Sequence, residues 1–188
     1  LLASSRTGAP ATGRPPLVFT LVGRLRGLPR PGGGAEFLGI PYAEPPVDRL
    51  RWRAPVPVKP WQGIRPAITY GPQCAQPQPD GWKQSFVAWA REDCLYLNVL
   101  RPASAHAGQK LPVMVWIHGG AFLGGTSMGG YGGDTDGHEF ANKGIIAVSV
   151  NYRLGFAGYF SHPALDHENH LHSNYGAMDQ IAALKWVK

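Results

Sequence analysis

The segment Trp116-Ile117-His118-Gly119-Gly120-Ala121-Phe122 leaves an apolar run and turns through two glycines. Acyl transfer needs backbone N–H groups aimed at a carbonyl oxygen as it becomes an oxyanion, and small residues let a substrate approach that backbone closely. Gly119, Gly120 and Ala121 have this character, and the methyl group at 121 leaves its N–H able to donate. A plain tight turn after a strand is the competing reading, because short glycine motifs are weak alone.

A second pattern, Gly125-Thr126-Ser127-Met128-Gly129, matches Gly-x-Ser-x-Gly. A serine nucleophile on such an elbow needs a buried strand just before it and a helix just after. Phe122-Leu123-Gly124 precedes it and a glycine-rich run follows, so Ser127 is set aside. His118 is not the general base either. In triads built on this elbow the histidine comes last along the chain, and His118 precedes every elbow. Its expected work is packing and hydrogen bonding under the loop.

Other chemistry is poorly supported. His162, His167, His170 and His172 cluster with Asp166 and Glu168, but their spacing fits no zinc motif and reads as a surface loop. No metal and no cofactor are expected. The glycine-rich 124–133 segment lacks the Lys-Ser/Thr ending of a phosphate loop. The net charge of +6 comes from scattered residues with no nucleic-acid motif around them, which points to a solvated basic surface. No apolar run approaches the roughly 20 residues of a membrane span.

The elements that must position the loop follow from the apolar pattern. Residues 1–16 read as a leader or linker, and the chain does not open with methionine. Leu17 to Arg26 alternates like a strand with a bend at Gly23, and a Pro/Gly turn separates it from a second strand at Phe37–Ile40; together they form an antiparallel hairpin. Residues 41–93, rich in Pro and Trp, read as irregular. Leu95–Leu100, Val113–Ile117 and Ile145–Val150 are continuous apolar runs, as in strands covered on both faces. A short helix ending at Lys143-Gly144 makes the last two a strand–helix–strand crossover, the unit of a parallel sheet. A final helix is capped by Asn174, with Ala177, Ile181 and Leu184 as its apolar stripe. This is an α/β pattern in one domain, and it reads as cut within that last helix.

Two cysteines, Cys74 and Cys94, leave two alternatives open. A disulfide closing about 20 residues would contribute about 3 kcal/mol and imply an oxidising compartment; two buried thiols are the other reading.

Several long motifs then occur in one order. Phe37-Leu38-Gly39-Ile40-Pro41-Tyr42-Ala43 is followed by Pro45-Pro46 and Arg51-Trp52, and then by Glu92-Asp93-Cys94-Leu95-Tyr96-Leu97-Asn98-Val99. Val150-Asn151-Tyr152-Arg153-Leu154-Gly155 comes next, and Asn174-Tyr175-Gly176 through Asp179-Gln180 to Trp186-Val187 closes the set. Over about residues 17–188 the chain resembles the N-terminal part of the type-B carboxylesterases, the α/β-hydrolase family that includes the cholinesterases.

The resemblance implies an α/β-hydrolase fold in which an antiparallel hairpin leads into a mostly parallel sheet. It implies that Gly120 and Ala121 supply oxyanion-hole N–H groups while Gly119 shapes the turn. It implies that Cys74 and Cys94 form a disulfide and that Arg51 and Glu92 form a buried structural ion pair. The serine, acid and histidine would follow Lys188, so the parent protein is expected to hydrolyse small-molecule carboxylic esters and this piece alone to be inactive. Secretion or a periplasmic location is expected. Neither Trp82 nor Trp89 aligns with the choline-binding tryptophan, which argues against a cholinesterase. The alternative is a catalytically dead relative used for binding or adhesion.

Overall fold

The computed structural model describes residues 13–77, 89–128, 137–167 and 173–188. Leu17–Thr20 (β1) and Gly23–Arg26 (β2) form an antiparallel hairpin with each other, rather than one bent strand. Thr20 causes the reversal: its Oγ1 accepts from the Val22 and Gly23 N–H groups and donates to the Gly23 carbonyl, a local bonding pattern that competes with strand continuation. Gly23 has φ +149°, and a Cβ there would meet the Trp61 ring at 2.4 Å. Ile64–Pro66 (β5) adds to β2 in parallel.

The Pro/Gly turn joins a different pair. Leu28–Pro29 (β3) runs antiparallel to Ala35–Pro41 (β4). β4 then pairs with Tyr96–Arg101 (β8), with a bulge between Phe37 and Ile40 where the Gly39 N–H turns to Asn98 Oδ1 at 2.9 Å. Between them lie a 3-10 turn at Asp48–Leu50 and the short parallel pair Gln73–Cys74 (β6) and Ala90–Arg91 (β7).

The main sheet has the order β3-β4-β8-β10-β9, where β9 is Val113–Ile117 and β10 is Ile146–Val150. β8 and β10 are antiparallel, while β10 and β9 are parallel, joined through the helix α1 at His138–Asn142. The crossover therefore forms as its pattern requires, with Gly144 at φ +83° beyond the helix end. Phe37, Ile40, Leu97, Val148, Val150 and Tyr152 share the core with Ala183.

Three helices complete the described chain: Gly155–Tyr159 (α2), Pro163–Asp166 (α3) and Tyr175–Val187 (α4). None is long and apolar enough to cross a membrane. Two expectations need correction here. The apolar run at β9 predicts cover on both faces, yet within this chain Val113 and Met114 are almost half exposed, and β9 has a strand on one side only among the described residues. On α4, Ile181 and Leu184 are about half exposed. The buried face carries Tyr175, Gly176, Asp179 and Ala183 instead, because Asp179 is drawn inward by a charged partner, and Asn174 makes no side-chain capping bond.

Candidate active site

The loop after β9 is held by its own backbone. The N–H groups of Leu123 and Gly124 both donate to the Gly120 carbonyl, at 2.9 and 3.2 Å, and the Gly155 N–H donates to the Phe122 carbonyl at 2.6 Å. This winding puts Gly120, Ala121 and Phe122 at φ of +118°, +52° and +62°. Such values are uncommon outside glycine and cluster at functional sites. A Cβ on Gly120 would lie 1.9 Å from the Gly124 carbonyl oxygen, whereas one on Gly119 would meet nothing. The space requirement of the turn thus falls on Gly120. Residues 119–122 are exposed, and among the described residues no acceptor takes the Gly120 or Ala121 N–H.

The turn overlooks a cleft of about 400 Å³ lined by Gln76, Trp116, His118, Gly120, Leu123 and Gly125, among others. His118 forms its floor. The ring is buried, stacks on Tyr152 with centroids 4.4 Å apart, and places Nδ1 2.9 Å from the Gly119 carbonyl. The Tyr152 hydroxyl donates to the His118 carbonyl at 2.7 Å.

Burial pushes the His118 pKa down, against a smaller opposing pull from the Gly119 carbonyl. The folded chain therefore binds this proton less readily than the unfolded chain. Stability is full above the ordinary histidine value of 6.5 and falls as pH drops below it. A His118→Gln chain should show a shallower fall in thermal midpoint between about pH 7 and 5. Equal slopes in the two proteins would refute this role.

Ser127 is buried and engaged. Its Oγ accepts from Asn98 Nδ2 at 3.0 Å, and its N–H donates to Asn151 Oδ1 at 2.7 Å. Asn98 Nδ2 also reaches Ser149 Oγ, and Asn151 Nδ2 reaches the Pro72 carbonyl. These bonds tie the end of the loop to β8 and to the residue that follows β10. Gly129 of that pattern lies outside the described residues, as do Trp82, Glu168, His170 and His172. His162 Nδ1 accepts the Ala164 N–H as the cap of α3, and Trp89 is mostly exposed. Among the described residues no group of three or more His, Cys, Asp or Glu could hold a metal ion.

Cys74 and Cys94 are both buried and joined in a disulfide. Replacing both by serine should cost about 3 kcal/mol, read as a lower urea midpoint at unchanged m-value. An unchanged midpoint would show that the bridge adds nothing.

Arg51 and Glu92 do meet, with Arg51 Nη2 donating to Glu92 Oε2 at 2.7 Å, and the Arg51 hydrogen bonds lower the Glu92 pKa. Their side chains are 41% and 33% exposed, so the expectation of a buried pair is corrected: both ends project from surface turns, and water screens them.

Among the described residues, a more deeply buried ion pair joins two residues to which the sequence pattern assigns no role. Arg153 Nε and Nη2 donate to the two carboxylate oxygens of Asp179, each at 2.8 Å, with side chains 3% and 0% exposed. The Arg153 backbone N–H also donates to Asp179 Oδ2, and Nη2 to the Arg53 carbonyl. Both residues sit inside motifs quoted above, but spacing alone gave no sign that a residue of the Val150–Gly155 motif reaches α4.

A family model described as the carboxylesterase family matches residues 14–188. The fumonisin B1 esterase of Sphingopyxis macrogoltabida is 42% identical over 185 residues, covering 96% of this chain and 33% of that protein. The liver carboxylesterase of Sus scrofa is 39% identical over 204 residues, covering 100% and 34%. Among solved structures, the carboxylesterase EST55 of Geobacillus stearothermophilus superposes with a TM-score of 0.75 at 39% identity, covering 91% of this chain and 34% of that one. The chain thus spans about a third of the length of the relatives it matches.

Proposed function

This chain belongs to the carboxylesterase family, and from that membership we propose that residues 17–188 are the N-terminal part of an α/β-hydrolase domain that hydrolyses small-molecule carboxylic esters. Gly120 and Ala121 donate their N–H groups to the oxyanion of the tetrahedral intermediate, and a serine beyond Lys188 attacks the ester carbonyl. The observation that carries this reading is the exposed, left-handed turn at Gly120–Phe122 above the cleft, whose Gly120 and Ala121 N–H groups have no acceptor among the described residues. Donors already set in place at such a turn stabilise developing charge without reorganising during the reaction. The Cys74–Cys94 disulfide supports an oxidising compartment, secreted or periplasmic.

Labelling with a fluorophosphonate tests the assignment. The coding product extended past Lys188 should take the label at one serine C-terminal to that residue, and the 188-residue chain should take none. Label on Ser127 would overturn the division of labour. An extended product without label or ester turnover would favour the dead binding relative.

A further inference from the structure

Gln76 follows Cys74 by two residues and is buried to 4% exposure. Its amide spends both ends on one partner: Oε1 accepts the Gly125 N–H at 2.7 Å, and Nε2 donates to the Gly125 carbonyl at 2.8 Å. The same Nε2 donates to the Cys74 carbonyl at 3.1 Å. The side chain therefore acts as one rung of a ladder between the cysteine loop and the residue that closes the oxyanion turn.

Gly125 is packed against the start of that turn. A Cβ on it would meet His118 Nδ1 at 2.1 Å and the Gly119 carbonyl at 2.6 Å. Its neighbour Gly124 presents the carbonyl that lies against Gly120. Where Gly124 and Gly125 stand thus sets where the Gly120 and Ala121 N–H groups stand. On the other side, Cys74 is held by its bond to Cys94 and by the β6–β7 pairing, and the Ala75 N–H donates to the Arg91 carbonyl at 3.0 Å.

We propose that Gln76 is a positioning residue for the oxyanion turn, and that through it the Cys74–Cys94 disulfide is coupled to the turn. The inference rests on the reading of Gly120 and Ala121 as oxyanion donors. Opening the disulfide frees the Cys74 backbone, Gln76 loses its fixed base, and Gly125 is no longer clamped.

The test uses amide exchange at Gly125, followed by nuclear magnetic resonance in this chain. Gln76→Leu removes all three bonds and should speed exchange by about tenfold or more, the scale of a lost buried hydrogen bond. Gln76→Glu keeps the acceptor but sets a carboxylate oxygen against the Gly125 and Cys74 carbonyls, so it should speed exchange as well. Replacing Cys74 and Cys94 by serine should speed Gly125 exchange when Gln76 is present and add little when residue 76 is leucine, since coupled sites are not additive. Unchanged exchange in a folded Gln76→Leu chain, or equal effects of the cysteine change in both backgrounds, overturns the coupling. If the serine variant does not fold, reducing the bridge with a thiol in the native and Gln76→Leu chains supplies the same comparison.

In the extended esterase, Gln76→Leu should lower kcat about tenfold with KM within about twofold. A change confined to KM would overturn the positioning role. An extended product inactive even with native Gln76 would sink the ester-hydrolysis reading, while the exchange measurements would still decide the coupling.

Discussion

Gly120→Val in the extended enzyme should lower kcat for a nitrophenyl ester by about 10²–10³-fold, the loss associated with one oxyanion donor. Two local facts set this scale. The backbone at 120 has φ +118°, a conformation that costs a β-branched residue heavily, and the new Cβ would start 1.9 Å from the Gly124 carbonyl oxygen. The turn must open, and the N–H groups of 120 and 121 move with it. Because those groups act on charge that exists only in the transition state, kcat and kcat/KM should fall together. Gly119→Ala is the control: its Cβ meets nothing and its φ is not left-handed, so turnover should stay within a few-fold. Unchanged turnover in Gly120→Val, or equal damage from Gly119→Ala, would show that the carbonyl oxygen is bound elsewhere.

Asp179→Asn should destabilise the chain by about 3–5 kcal/mol, because it leaves the Arg153 guanidinium buried without its charge partner. Asp179 accepts both guanidinium bonds and the Arg153 backbone N–H, so this one carboxylate ties the start of α4 to the chain just after β10. Burial raises its pKa, and the Arg153 guanidinium offsets only part of that rise. A loss of this size is a large fraction of the 5–15 kcal/mol typical of a domain, so the urea midpoint should collapse. An unfolding free energy within about 0.5 kcal/mol of the unsubstituted chain, the range of ordinary surface changes, would mean that water reaches the pair. Arg51→Ala at the surface should behave in that mild way, which separates the two ion pairs.

Local patterning carried a large part of the molecule. The apolar runs at β8, β9 and β10 and the Lys143-Gly144 stop made the crossover legible, because strand and helix periodicities and a left-handed glycine are properties of neighbouring residues. Gly119-Gly120-Ala121 stood out for the same reason. Flanking residues argue against Ser127 as a nucleophile, and they do not reveal that its hydroxyl and N–H meet Asn98 and Asn151, which lie 29 and 24 residues away.

Long-range partners were out of reach. Even nearby, Thr20 folds Leu17–Arg26 onto itself through bonds two and three residues away that hydrophobic alternation does not register. The choice of a buried ion pair went to Arg153 and Asp179 rather than Arg51 and Glu92, since charge and spacing are silent on which pair loses its water. The α4 stripe turned outward for the same reason, with Asp179 taking the inner face.

For the oxyanion turn, residue types along seven positions named the chemistry, small residues and backbone donors after a strand. Only the folded chain showed that a Cβ would meet the Gly124 carbonyl at Gly120 and nothing at Gly119, and that Gln76 bonds to Gly125, 49 residues away. Composition and periodicity are set along the chain, whereas desolvation and close approach depend on what else arrives.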